Sequence, residues 1–306
     1  MNSPLVSIIM SVYNEQSDFL KLALDSILNQ TYENIEFVIV NDSPSNRIVS
    51  DILLEYERLN SNIVIITNKT NEGLAKSLNL AISNVSGSYI ARMDSDDVSL
   101  PRRIEKQMQY LKNTKSDLVG SYIENIDENG NTFSVSKVPT SCKKLLKLLP
   151  YSTIAFHPTW FAKAEIFKEV KYNSLFSTAQ DYDFLNRAIT KGYIVSNIDE
   201  VLLQYRSSRT RVSSRNSFLQ INFHYLINKK RVDENFDIDK STKKLINNIN
   251  VNEENTYIYA NNLFIEFSKY KKITDGLQVL FYLFKSKMFR YKIKNFIFSK
   301  IIKLYL

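Results

Sequence analysis

The sequence predicts an α/β fold built on a mainly parallel sheet, and three features carry that prediction. Over the first hundred residues, strand and helix patterns alternate. The strand-type segments are near-continuous apolar runs rather than alternating ones, the mark of strands covered on both faces. Each run also ends in a polar or acidic turn, and parallel sheets place their ligand sites at such strand exits.

The elements follow in order. Leu5–Val12 is rich in β-branched residues and reads as a strand. Leu20, Ala23, Leu24, Ile27 and Leu28 then recur at helical spacing, with Ser17 placed to cap the helix. Ile35–Val40 predicts a second strand, ending at the turn-rich Asn41 to Asn46. Ile48, Val49, Ile52, Leu53, Tyr56 and Leu59 predict a second helix. Ile63–Thr67 is a third strand, Gly73–Asn84 a third helix and Tyr89–Met93 a fourth strand. Pro101 begins another helix, Asp117–Val138 reads as a hairpin turning at Asn129-Gly130, and Thr159–Ala162 reads as a strand. Asp183–Thr190 predicts a helix ended by Lys191-Gly192, and beyond about residue 215 the chain reads helical. The predicted organisation is therefore residues 1–215 as an α/β domain and 216–306 as a helical C-terminal region.

Scarce residues exclude several functions. The six glycines, at 73, 87, 120, 130, 192 and 276, write neither G-x-G-x-x-G nor a P-loop. A single cysteine, Cys142, forbids an intrachain disulfide and any C-x-x-C pair. Two histidines, His157 and His224, cannot supply a three-His zinc site. A metal held here would rest mostly on carboxylates, which favours Mg²⁺ or Mn²⁺.

The net charge of +8 is uneven. Residues 269–306 hold ten Lys/Arg against Asp275 alone, or +9, leaving −1 for the rest. A near-neutral body gives no ground for a nucleic-acid partner. The basic, aromatic tail has two readings: a helical subdomain with a solvated basic face, or helices lying on an anionic membrane surface. The N-terminus lacks a basic leader region, and Leu277–Phe284 is far too short to span a bilayer. These features predict a cytoplasmic protein, soluble or peripheral to the membrane.

The strand exits carry the candidate chemistry: Tyr13-Asn14-Glu15, Asn41-Asp42, Asn68 to Gly73, and Asp94-Ser95-Asp96-Asp97. Asp94 and Asp96 lie two apart, so in extended geometry both face one side and can meet a hard cation. The same residues also make a good turn before a helix.

The ordered set Ser7 to Glu15, Glu36 to Asp42, Asn71-Glu-Gly-Leu-Ala75 and Asp94-Ser-Asp-Asp97 resembles family 2 glycosyltransferases. Gln180-Asp-Tyr-Asp-Phe184 and Tyr205-Arg206 extend the resemblance over about residues 4–212. It implies a GT-A fold and inverting transfer from a nucleotide diphosphate sugar, usually UDP-linked, with Mn²⁺ or Mg²⁺. It further implies that Tyr13, Glu15 and Asp42 line the nucleotide pocket and that Asp94 reaches the ribose. Asp96 would hold the metal and Asp181 would deprotonate the acceptor hydroxyl.

Two departures stand out. The family often carries Asp-Asp-Gly-Ser where this chain has Asn41-Asp42-Ser43-Pro44, and an Arg where it has Leu78. Q-x-x-R-W, typical of processive synthases, is absent, which favours one sugar per encounter. A lipid-linked, polyprenol-diphosphate saccharide is the acceptor this resemblance suggests.

Several residues keep two readings. Asp181 is a base or a helix cap, and Asp183 a cap or brace. Arg206 pairs with the diphosphate or with a surface acid. His157 touches acceptor or phosphate, or is a structural histidine. Trp160 stacks on an acceptor sugar or packs in the core. A competing reading of the whole chain is a non-catalytic membrane or nucleic-acid adaptor on a transferase-like core; the intact Asp94, Asp96 and Asp181 argue against it.

Overall fold

The computed structural model describes residues 3–207, 215–270 and 273–305. Its first half follows the alternation of the sequence. Strand β1 (Val6–Val12) leads to helix α1 (Ser17–Leu28), β2 (Ile35–Asn41), α2 (Arg47–Leu59), β3 (Ile63–Thr67), α3 (Leu74–Ser83) and β4 (Tyr89–Asp94). These four strands pair in parallel in the order β3-β2-β1-β4. Alternate residues of β1 divide between the two faces. Val6, Ile8, Met10 and Val12 join Leu20, Leu24 and Ile27 of α1 and Val49 and Leu53 of α2 in one core. Helix α3 packs against β1 and β2. Fully burying a Leu or Ile side chain is worth about 1.5–3 kcal/mol, so this layer is a large share of the driving force.

One helix start differs from expectation. Ser17 is the first residue of α1, Gln16 holds the cap position, and no side chain caps it. Asn46 instead caps α2, accepting from the Val49 N–H at 3.2 Å.

After β4 come β5 (Val98–Ser99), α4 (Arg103–Asn113), β6 (Leu118–Ile126), β7 (Thr132–Ser136) and α5 (Cys142–Leu148). The Asn129-Gly130 turn joins β6 to β7, with Gly130 at φ 81°. A 3-10 turn (His157–Thr159), β8 (Phe161–Lys163), α6 (Ala164–Val170), α7 (Gln180–Thr190) and β9 (Val195–Arg206) follow. The sheet extends from β4 through β8, β6 and β9 to β5, with β7 paired to β6. β8 runs antiparallel to both neighbours, while β9 runs parallel to β6 with register shifts near Tyr122. The fold is thus α/β with a mostly parallel sheet. Strand β9 has no counterpart in the sequence reading, because Asp199-Glu200 interrupts its apolar run.

The chain divides into two compact units. The first holds residues 1–145, 153–174 and 187–209; the second holds 146–152, 175–186 and 210–306. The second unit contains α8 (Arg215–Val232), α9 (Ile238–Asn247), α10 (Val251–Tyr270), α11 (Ile273–Lys285) and α12 (Lys287–Tyr305). Phe218, Tyr257, Ala260, Val279, Met288, Phe289 and Ile293 form its core. Buried Ser286 separates α11 from α12: its Oγ accepts from the Phe289 N–H at 3.0 Å and donates to Glu253 at 2.8 Å. Met288 is therefore core, and does not continue the exposed face of Leu277, Leu280, Phe281 and Phe284. Lys271 and Lys272 of the basic tail lie outside the described residues.

Candidate active site

Register brings the strand exits level. Val12 pairs with Asn41 and Ser11 with Asp94, so the turns after β1, β2 and β4 line one edge of the sheet. Short polar side chains stitch these turns together. Ser43 Oγ donates to Asn14 Oδ1 at 2.9 Å, and Ser95 Oγ donates to the Ser11 carbonyl at 3.2 Å. Tyr13 is 48% exposed. Its N–H donates to the Glu15 carboxylate at 2.8 Å, which turns Glu15 back toward the strand end.

Asp42 is buried and acts as a hub. Its Oδ1 accepts from Asn68 Nδ2 at 2.7 Å and the Glu72 N–H at 2.8 Å. Its Oδ2 accepts from the Gly73 N–H at 2.9 Å and Asn71 Nδ2 at 3.2 Å. One carboxylate thereby shapes the whole Asn71–Gly73 loop, where Gly73 sits at φ 84°, a conformation that favours glycine. With four donors already on it, Asp42 serves this edge chiefly by holding that loop. Asp42→Asn would turn an amide N–H₂ toward one pair of donors. A loss of about 2–3 kcal/mol in unfolding free energy follows, with weaker nucleotide binding through the disordered loop. Denaturant titration checks this, and unchanged stability would contradict the hub role.

The turn after β4 concentrates charge. Arg92 and Arg103 are fully buried behind it. Arg92 grips Asp94 with both terminal nitrogens. Arg103 donates to the Arg92 carbonyl at 2.6 Å and to Gln107 at 3.1 Å. Burial and the Arg92 charge push the Arg103 guanidinium down to about 9. Among the described residues Asp96 forms no such ion pair: burial, then Asp94 and Glu15, push its carboxyl up to about 6, against a smaller opposing pull from Arg92. Asp97 is fully buried, and burial with Asp94 and Asp96 raises its pKa well above the ordinary value. Its Oδ1 accepts from the Arg206 N–H at 2.8 Å, and its Oδ2 has no hydrogen-bond partner among the described residues.

Arg206 closes this turn. Its Nε donates to the Asp96 carbonyl at 2.9 Å and a terminal nitrogen to the Asp127 carbonyl at 2.9 Å, with Phe19 4.0 Å beneath the guanidinium. The guanidinium is thus spent on backbone carbonyls and an aromatic face, where it fixes the acidic turn.

The donor set at this turn suits a hard divalent cation. Among the described residues, no three or more His, Cys, Asp or Glu converge as a ready-made metal cage. The raised Asp96 is nonetheless a carboxylate under like-charge pressure, which a cation there relieves. The residues fit a metal that takes part of its shell from elsewhere.

The remaining candidates are placed differently. Trp160 is fully buried, with Nε1 3.4 Å from the Ala155 carbonyl, and offers no face to a sugar. His157 is buried beneath it, Nε2 2.7 Å from the Tyr172 hydroxyl. Both side chains are packed in the core. Asp181 lies in the second unit, part-exposed in the first turn of α7, whereas Asp183 is buried.

Burial, then the Arg92 charge, pushes His157 well below its usual pKa. An unfolded chain takes up a proton near pH 6.5 that this site refuses, so the stabilisation is complete above that pH and declines below it. Compared with His157→Gln, the native chain should lose about 1 kcal/mol more between pH 6.5 and 5.5. Parallel pH profiles would contradict a neutral buried imidazole.

Sequence reasoning passed over Arg92 and Arg103 and gave Asp97 no role of its own. Arg92 did leave a signal, a lone cation inside the apolar run Tyr-Ile-Ala-Arg-Met.

Comparison with known proteins completes the picture. A family model, glycosyl transferase family 2, matches residues 7–171. The chain is 39% identical over 208 residues to the uncharacterized glycosyltransferase MJ1057 of Methanocaldococcus jannaschii, covering 67% of this chain and 72% of that one. It is 36% identical over 205 residues to the O-antigen biosynthesis glycosyltransferase WbnJ of Escherichia coli, covering 66% and 79%. Among solved structures it superposes on the mannosyltransferase PcManGT of Pyrobaculum calidifontis, in complex with GDP-Man and Mn²⁺. That match has TM-score 0.58 and 13% identity, covering 99% of this chain and 88% of that one. The superposition speaks for a GT-A type of fold. With the family match spanning more than half of the chain and such relatives beside it, the chain belongs to glycosyl transferase family 2 and is a glycosyltransferase.

Proposed function

We propose that the chain transfers single sugars, with inversion, from a UDP-linked donor to a lipid-linked saccharide of a surface polysaccharide. The observation that carries this reading is the acidic turn after β4, with Asp94 neutralised by Arg92 and Asp96 left under like-charge pressure. Tyr13 and Glu15 frame the nucleotide, Asp42 holds the adjoining loop, and Asp94 takes the ribose. Asp96 holds Mn²⁺ or Mg²⁺, which when bound offsets charge on the leaving diphosphate. Asp181 accepts the proton of the attacking hydroxyl, a role that suits a carboxylate. Arg206 and Asp97 keep the turn in place. Residues 1–215 form the catalytic region and 216–306 the helical region.

WbnJ's name in O-antigen biosynthesis supports a surface-saccharide acceptor. The direct test is a binding screen with UDP-Glc, UDP-Gal, UDP-GlcNAc, UDP-GalNAc and GDP- and dTDP-sugars, with and without Mn²⁺. Metal-dependent binding of a UDP-sugar is expected. Preference for a GDP-sugar overturns the uridine assignment, and absence of binding overturns the reading.

Among the described residues no helix is long and apolar enough to cross a membrane. Peripheral attachment to the inner face of the cell membrane fits the second unit better. Leu277, Leu280, Phe281 and Phe284 are exposed along α11, beside Lys285, Lys287 and Arg290. Each basic residue near an anionic surface is worth about 1 kcal/mol. Co-sedimentation with phosphatidylglycerol vesicles should therefore weaken with salt and fall in Leu280→Ser/Phe284→Ser. Salt-independent absence of binding returns this face to solvent.

A further inference from the structure

The second unit contains a cleft of about 270 Å³. Its walls are aromatic. Tyr225 and Tyr291 meet edge to face with ring centres 5.3 Å apart, and Tyr151, stacked on Phe298 at 5.3 Å, also lines it. Its cations are Lys229, Arg231 and Lys294, all exposed, and among the described residues no Asp or Glu lines it. The Lys287 ammonium adds further positive charge 4.7 Å from the Tyr225 ring centre.

One amide organises the cleft and ties it to α7. Asn228 Nδ2 donates to the Pro150 carbonyl at 3.0 Å and to the Tyr291 hydroxyl at 2.8 Å. The Tyr182 hydroxyl lies 3.1 Å from Asn228 Oδ1 and 2.7 Å from the Leu149 carbonyl, sharing its proton between them. Tyr182 is the chain neighbour of Asp181, and its ring stacks on His224 at 4.0 Å. The cleft is thereby coupled to the first turn of α7 through packed and hydrogen-bonded groups of one unit.

Aromatic faces favour apolar matter, and the exposed cations that line the cleft attract an anion, phosphate above all. A ligand that satisfies both is an apolar chain ending in phosphate. Resting on the transferase reading above, we propose that this cleft binds the phosphorylated lipid end of the acceptor, a prenyl diphosphate. The first carbons of the chain lie against the tyrosines and the diphosphate lies on Lys229, Arg231 and Lys294. A site of this kind on Asp181's own unit holds the acceptor from its lipid end while leaving its sugar free.

The test titrates the full chain with geranyl diphosphate by calorimetry, without divalent metal so that the nucleotide site contributes little. Geraniol, phosphatidylglycerol vesicles and UDP with Mn²⁺ are run beside it. Saturable binding of the diphosphate is expected, with at least tenfold weakening in Lys229→Ala/Lys294→Ala and unchanged UDP affinity. No binding by the native chain, equal binding by the variant, or equal affinity for geraniol overturns the proposal. So does a variant that loses vesicle binding but keeps geranyl diphosphate, which would give the cleft to membrane headgroups. The two readings fail separately. A chain that binds UDP but not the probe loses only the cleft, whereas one that binds no nucleotide sugar loses the transferase reading.

Discussion

Asp96→Ala is expected to reduce turnover by at least about 10³-fold while leaving the chain folded. The side chain sits in a turn, accepts no hydrogen bond from a helix among the described residues, and is pushed toward protonation by burial, then by Asp94 and Glu15. Removing it relieves that repulsion, so stability should hold or rise slightly. Metal-dependent nucleotide-sugar binding, by contrast, should disappear, because Asp94 is already committed to Arg92. Thermal unfolding and Mn²⁺-dependent binding, measured on the same preparation, separate the two effects. Full activity of Asp96→Ala, or of the native enzyme in EDTA, would remove Asp96 from the metal role.

Asp181→Asn should retain donor affinity while transfer falls by about 10²–10⁴-fold. The amide preserves size and can still accept a hydrogen bond at the start of α7, but it cannot take up a proton from the attacking hydroxyl. A helix-cap role predicts something else: a small loss of stability and a near-normal rate. Measuring kcat, donor affinity and unfolding together distinguishes base from cap. A variant with near-native kcat would leave Asp181 structural.

The parts that were legible in the sequence share a physical cause. β1, β2 and β4 are largely buried on both faces, so their apolar runs are continuous, while β3 at the sheet edge keeps an apolar run although Val64 is exposed; the residues after these strands follow from where parallel strands end. β9 escaped because Asp199-Glu200 break its pattern, although its remaining residues pair along β6. The site was half legible for a similar reason. Tyr13, Glu15, Asp42, Asp94 and Asp96 follow strands and can be placed by counting. Arg92, Arg103, Asp97 and Arg206 matter through which atoms they meet across the fold, and spacing carries none of that. Asp42 shows the difference: its position was readable, but its four donors from residues 68 to 73 were not. His157 and Trp160 drew notice as rare residues, and burial decided their place.

Metal-dependent, inverting transfer from a nucleotide sugar can be tested without knowing the acceptor. Water can stand in for the acceptor hydroxyl, so the α-linked UDP-sugar that binds best can be incubated with enzyme and Mn²⁺ and followed by proton NMR. The β-anomer of the free sugar should form first, before mutarotation, and EDTA and Asp96→Ala should both stop its release. Initial release of the α-anomer, or release that continues unchanged in EDTA, would contradict it.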